Sequence, residues 1–471
     1  MSMIYKLSQD SFDNTFAVKA DGIKLTHHNG HRCKLFPYTT NTNSEPVCDL
    51  KLIIGHYLSQ INAKEPMPFT AEDLISRLKD DSSIEIAQGM EKVFEQVVRH
   101  MFFEKDGSIR PVNLKMLAQI PCRDRQESKL ADYLVDVLGD VTILSEIITR
   151  ASKKIDEQNN VLERLAGSKL ESKASTREPG SEYLRITNAL QKNYEADFEY
   201  ILGARSRVRD YLIPLLEFYY FSYTAQSILQ LNRFMDGDRN TCVPLYFSLE
   251  WERTSQNRRS FSEGWNLLQE AVNRIFAHAI VLEILNQTEE NANSTIVDYI
   301  ALNELINISL DEDHRIAEEI KHLTNRYRSM IKDCPEIAKL ERTKTVEESE
   351  TATEVKYLFN SVKIQFENTV RERAYNSYAS KFKEYCKKFL KLRGRNGMML
   401  NLTEETLIFL TKVCIKDQEK MRLNNVFAEF EARGVFLDDH SKTEVMHYYE
   451  KLNLIEKKSD CGDAQYVKRI L

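Results

Sequence analysis

The stretch "YLIPLLEFYYFSYTAQSIL" (residues 211–229) is the most apolar run in the chain, so any fold must take it out of water. Pro214, Glu217 and Gln226 interrupt it. Carrying the Glu217 carboxylate into a bilayer would be costly, so the run reads as a buried core helix and not as a membrane span. A core helix needs a body around it. The 471 residues allow about three domains at ~150 residues each. Hydrophobic residues at 42%, with 22 Phe and 21 Tyr, describe a soluble globular chain rich enough in apolar side chains to fold. Only 15 Gly and 10 Pro punctuate it, which favours long helices over a sandwich or barrel and gives a mainly α expectation.

The opening "MSMIYKLSQDSFDN" has no uninterrupted apolar core and does not read as a signal peptide. Eight dispersed cysteines without a C-x-x-C pair suggest neither a disulfide framework nor a zinc ribbon. A reducing, cytoplasmic compartment is expected.

Residues 1–60 read as a small β region, because Asn29-Gly30 lies between alternating Ile23, Leu25, Cys33 and Leu35, a hairpin signature. His27, His28, His31 and Cys33 are metal-ligand types, but adjacent strand residues point to opposite faces, so a hairpin is preferred to a metal site and no cofactor is expected. Residues 61–166 read as helical. The seven-residue spacing of Ile148, Ile155 and Leu162, with Ala151, Gln158 and Leu165 in the second seam, raises a short coiled coil or helical hairpin. Polar "GSKLESKASTREPGSE" (167–182) reads as a linker. Residues 183–340 form a central helical domain interrupted at 235–260, and acidic 341–354 reads as a loop or capped helix start.

Net charge is −6, unevenly spread. Residues 371–471 hold 20 Lys and Arg against 15 Asp and Glu, which leaves the first 370 residues at −11, so an anionic partner is sought at the C-terminal end. Within 355–397, read as a basic helix ending at the glycines of "RGRNG", Tyr375, Tyr378, Phe382, Tyr385 and Phe389 interleave with the cations. Such aromatics either stack on bases or pack beneath a solvated basic face. The alternation Arg205, Arg207, Arg209 and the group Arg253, Arg258, Arg259 are further basic candidates, read first as ordinary surface or salt-bridge sets.

Residues 401–471 divide most clearly. Thr403 caps a helix whose first turn carries Glu404 and Glu405, a second helix spans 423–434, and a third begins near "DDHSK" with Val445, Tyr449 and Leu452 on one stripe. Two extended runs joined at Cys461-Gly462 follow. Three helices and a hairpin are the order of a winged helix. The opposite face of its third helix would expose Thr443, His447 and Lys451 together with Glu450, and its hairpin Lys457, Lys458, Lys468 and Arg469. With Arg393 and Arg395 these are the candidate DNA contacts. Protein docking is the competing use of such a unit.

Enzyme signatures are scarce. G-x-G-x-x-G, the P-loop, H-E-x-x-H and G-x-S-x-G do not occur in the sequence. Glu354-x-Lys356 and Glu456-x-Lys458 imitate an element of metal-dependent nucleases but arise easily by chance in a chain that is 29% charged.

"LFPYTT" (35–40), "PLYFSLEWERTSQNRRS" (244–260), "RGRNG" (393–397) and above all "LNLIEKKSDCGDAQYVKRIL" (452–471) resemble the DNA-phosphorothioation-dependent restriction protein DptG (DndG) family from end to end. The family carries Ser where this chain has Cys461, which argues against a catalytic thiol. The resemblance implies a bacterial restriction system that attacks DNA lacking a backbone sulfur, with DptF and DptH as partners supplying nucleotide hydrolysis. The expected function is a DNA- and partner-binding subunit without catalytic activity of its own. A metal-dependent nuclease with a noncanonical site and a pure protein scaffold are the alternatives. Tyr246, Phe247, Trp251, Arg253, Arg258 and Arg259 are the candidate partner-docking residues, because large aromatics beside arginines dominate interface energetics.

Overall fold

The computed structural model describes residues 5–18, 25–110, 112–158, 160–289, 296–343, 348–457 and 465–470. Among these, nineteen α-helices carry the architecture and no strand exceeds five residues, as the scarcity of glycine and proline implies.

The apolar run lies in the helix Arg205–Asn232, where the side chains from Phe218 to Leu231 are all buried. Glu217 sits at the edge of this helix: its carboxylate pairs with Lys388 at 2.5 Å and its carbonyl accepts from Tyr385 Oη at 2.9 Å. No helix among the described residues is long and apolar enough to cross a membrane. A second helix, Ile275–Leu285, is buried at every position. Around these two pack Gln191–Leu202, the pair Leu310–Met330 and Glu350–Glu367, and Glu372–Cys386.

The N-terminal β expectation is corrected. Residues 5–60, as far as described, carry helices and isolated bridges but no strand. The Asn29-Gly30 turn forms no hairpin, because the following amides wrap a carboxylate from another part of the chain. The N–H groups of Gly30, His31 and Cys33 donate to Glu283 Oε2 at 3.0, 3.0 and 3.3 Å, and that of Arg32 donates to Oε1 at 2.9 Å. Glu283 is fully buried in Ile275–Leu285, where an unpaired carboxylate would be costly. Gly30 supplies the positive φ (78°) that the turn requires. His27 is bonded to Tyr327 Oη at 2.9 Å, while exposed His31 meets the His28 ring edge to face with centroids 5.8 Å apart. Ile23 lies outside the described residues.

The coiled-coil expectation is also corrected. Val141–Gln158 and Val161–Ser168 are separate helices, and Asn160 caps the second by accepting from Glu163 N–H. Ile148, Ala151 and Ile155 face the main apolar core. Leu162 and Leu165 face a smaller cluster built on Leu74, Leu78, Val98, Phe102 and Met116. The expected linker is docked. Ser172–Ala174 pairs antiparallel with Lys64–Pro66, and the buried Asp136 carboxylate accepts from the amides of Gly180, Glu182 and Tyr183 while pairing with Arg177.

In 355–397 the single basic helix becomes the end of Glu350–Glu367, the helix Glu372–Cys386 and a hairpin of Leu390–Leu392 with Met398–Leu402. Gly394 and Gly397 adopt positive φ in the hairpin connection and do not stop a helix. The five interleaved aromatics are all buried, against Phe276, Phe366, Tyr220 and Phe221 among others, so the reading in which they pack beneath the surface holds and base stacking does not.

Candidate nucleic-acid interface

The C-terminal unit runs helix Glu404–Ile415, strand Lys420–Arg422, helices Leu423–Glu431 and Asp439–Lys451, and strands Ile455–Lys457 and Gln465–Lys468. The Thr403 cap was legible. Thr403 Oγ1 accepts from Thr406 N–H, and Asp438 accepts from Ser441 N–H. Leu407, Leu410, Cys414, Val426, Phe430, Val445, Tyr449 and Val467 fill the interior. Tyr449 Oη and Thr411 Oγ1 satisfy each other at 2.5 Å. The last strand pairs on both sides, antiparallel to Lys420–Arg422 and to Ile455–Lys457, and so lies in the centre of a three-stranded sheet. The strand Lys420–Arg422 was missed in the sequence: three residues are too few to display an alternation.

Val445 and Tyr449 turn one face of Asp439–Lys451 inward. His440, Thr443, His447 and Lys451, at spacings of three and four, form its exposed stripe. Beside the stripe, Lys457 Nζ pairs with Glu450 at 2.8 Å, and this hydrogen bond, with another from His447, holds the Glu450 carboxyl below its usual range. Lys468 Nζ donates to the Asn453 carbonyl at 3.3 Å. Arg469 reaches Asp417 at 3.8 Å, and Lys420 pairs with Glu456 at 2.6 Å. Thr443, His447, Lys451, Lys457, Lys468 and Arg469 thus share one small unit and are exposed, with acids interspersed. Lys458 and the expected Cys461-Gly462 turn lie outside the described residues.

Arg393 is corrected as a DNA contact. Its guanidinium donates to the carbonyls of Leu249, Glu250 and Glu252 and to Asn401 Oδ1 (2.8 Å), clamping two segments of the protein together. Arg395, in the same hairpin connection, is exposed.

The expected partner-docking segment is corrected in part, because its aromatic face is covered by the chain's own C-terminal unit. Tyr246 and Phe247 are buried, Phe247 N–H donates to the Phe436 carbonyl at 2.9 Å, and Phe436 N–H donates to the Leu245 carbonyl at 3.1 Å. Ser248–Leu249 runs parallel to Met398–Leu402, and half-buried Trp251 packs on Tyr448 with ring centroids 4.7 Å apart. Arg258 grips the N-terminus of the third helix. Its Nε and Nη2 reach the two Asp438 carboxylate oxygens at 2.9 and 2.5 Å, Nη2 also donates to Ser441 Oγ at 2.7 Å, and Nη1 lies 3.2 Å from Glu252. Burial pushes the Glu252 carboxyl up despite the Arg258 charge. Burial pushes Asp438 the same way, but hydrogen bonds from Arg258 and Ser441 outweigh it and leave that carboxyl lowered. Arg253 and Arg259 are exposed, the latter over the Tyr246 ring and paired with Glu263.

The described E-x-K residues, Glu354, Lys356 and Glu456, are engaged as ordinary ion pairs. Glu354, 7% exposed, is held by Arg342 at 2.7 Å, and Lys356 pairs with Glu348.

No protein-family model matches this chain, and no curated protein matches it either.

Proposed function

We propose that the chain is a non-catalytic DNA- and partner-binding subunit whose residues 401–471 form a winged helix. The system it serves would be the restriction system named by the resemblance, which attacks DNA lacking phosphorothioate, with DptF and DptH as partners. The observation that carries the reading is the order helix, strand, helix, helix, strand, strand, with the last strand central in the sheet and the outward stripe of Asp439–Lys451 uncovered by any other described element. A helix about 10–12 Å across fits a major groove about 12 Å wide. Lys457 and Lys468 then flank the groove on two neighbouring strands, where phosphates would run. Their present partners are exposed groups, and such pairs contribute little, so exchanging them for phosphate costs little.

The interspersed Glu450, Glu456 and Asp417 favour a second reading, in which the unit docks a protein of mixed charge. Salt-titrated binding of a DNA duplex by the whole chain separates the two. Each lysine or arginine on a phosphate adds about one unit to the slope of log affinity against log salt. Replacing Lys457, Lys458, Lys468 and Arg469 with Glu lowers affinity by orders of magnitude at low salt and flattens that slope. If DNA affinity and slope survive while partner capture fails, the unit is a protein-docking device.

A further inference from the structure

The two apolar clusters meet along a seam away from the C-terminal unit. Leu58 and Ile148 belong to the main core and Leu170 to the smaller cluster, and between them opens a cleft of about 500 Å³. That volume lies within the roughly 300–1,000 Å³ of small-molecule sites, which form preferentially where two packed units adjoin.

Three lysines line the cleft from three elements: Lys64 from Lys64–Pro66, Lys115 from Leu114–Leu117 and Lys153 from Val141–Gln158. Asp156 is the sole carboxylate among the described lining residues, and it pairs with Lys115 at 2.8 Å. The neighbouring Glu65 is taken by Lys173 across the strand pair at 2.9 Å. Among the described residues Lys64 and Lys153 have no carboxylate at ion-pairing distance, so the walls carry two uncompensated cations. Gln119 lines the cleft as well.

We propose that this cleft binds a phosphorylated small molecule of nucleotide size, its phosphates on Lys64 and Lys153 and its apolar surface against Leu58, Ile148 and Leu170. Occupancy ties the smaller cluster to the main core, because Lys64 and Lys115 stand where the two meet.

Isothermal titration and thermal melting of the full chain with ADP, pyrophosphate and adenosine test this. ADP and pyrophosphate bind and raise the melting temperature, and uncharged adenosine does so far less. Lys64→Ala with Lys153→Ala lowers ADP affinity by about a hundredfold, roughly tenfold for each charged contact. Both lysines are exposed and outside any described ion pair, so the variant keeps its fold, with circular dichroism as the check. Absence of ADP and pyrophosphate binding at millimolar concentration overturns the proposal, as does undiminished ADP binding by the double-lysine variant. Displacement of ADP by a DNA duplex overturns it too, by making the cleft part of a nucleic-acid surface. The proposal stands apart from the C-terminal reading: the four-charge hairpin variant keeps ADP binding, and the double-lysine variant keeps DNA binding.

Discussion

Arg433 and Asp197, 236 residues apart, form a bidentate ion pair with both side chains fully buried. Nε reaches Oδ2 at 2.7 Å and Nη2 reaches Oδ1 at 2.8 Å. Lys416 joins Oδ1 at 2.8 Å and Tyr219 Oη donates to Oδ2 at 2.7 Å, so the carboxylate ties the C-terminal unit to the helices Gln191–Leu202 and Arg205–Asn232. Gly434 completes the contact: it holds φ +82°, and a Cβ there would stand 2.9 Å from Ser222 Oγ on the central helix. The exposed stripe of Asp439–Lys451 is therefore carried by a unit fixed to the body.

Removing one partner of such a pair leaves the other buried and uncompensated, at a cost of about 3–5 kcal/mol. Asp197→Ala takes the larger loss, because it leaves the guanidinium with Glu429 alone and also removes the partner of Lys416 and the acceptor of Tyr219 Oη. Arg433→Met costs less, because Lys416 still neutralises Asp197. Chemical denaturation of the two variants checks the order. Equal destabilisation would mean that Lys416 does not compensate.

Glu283 gives a second test. Glu283→Gln keeps the volume but replaces one carboxylate oxygen with an NH₂ facing backbone donors, so at least one of the four amides loses its acceptor. We expect a loss of at least about 2 kcal/mol and faster hydrogen exchange at residues 30–33, measured residue by residue. Unchanged protection there would show that the segment holds its shape without the carboxylate.

The contrast between these two ends of the chain explains what was legible. Thr403 and the stripe of Val445 and Tyr449 are local signals, because caps and helical periodicity act within a few residues, and they placed the C-terminal helices. The Asn29-Gly30 turn is just as local, yet its outcome was decided by a carboxylate some 250 residues away, which no pattern in the sequence announces. Arg393, Tyr246 and Phe247 mislead for a related reason: arginine and aromatic side chains look alike in sequence whether they meet a partner or their own chain. The cleft lysines come from three separated elements and carry no spacing signature.

Two histidines, His278 fully buried and His27 half-buried, contribute to stability against acid. Burial, aided by Arg274, lowers the His278 pKa from 6.5 to about 3, and burial, aided by Arg371, does the same for His27. A depressed pKa means that the fold favours the neutral ring while the unfolded chain takes up a proton below pH 6.5. Their stabilisation is full above pH 6.5 and is lost as pH falls toward 3, at about 1.4 kcal/mol per pH unit for each ring. His278→Asn should reduce the slope of unfolding free energy against pH by one proton in that window. A slope equal to that of the parent chain would remove His278 from the account.

The stripe on Asp439–Lys451 separates groove reading from backbone contact. Thr443 and His447 can reach base edges only if the helix lies in the groove, whereas Lys457, Lys468 and Arg469 can hold phosphates without it. Thr443→Ala with His447→Ala removes no lysine or arginine, so at neutral pH it should leave the salt slope nearly unchanged. If the helix enters the groove, the double variant loses several-fold in affinity and binds different duplex sequences more evenly. Lys451→Ala should instead lower the slope by about one unit without changing sequence preference. Fluorescence anisotropy against a panel of duplexes at several salt concentrations reads both quantities at once. If the double variant matches the parent chain on every duplex, the helix does not enter the groove, and DNA is held by the hairpin charges alone.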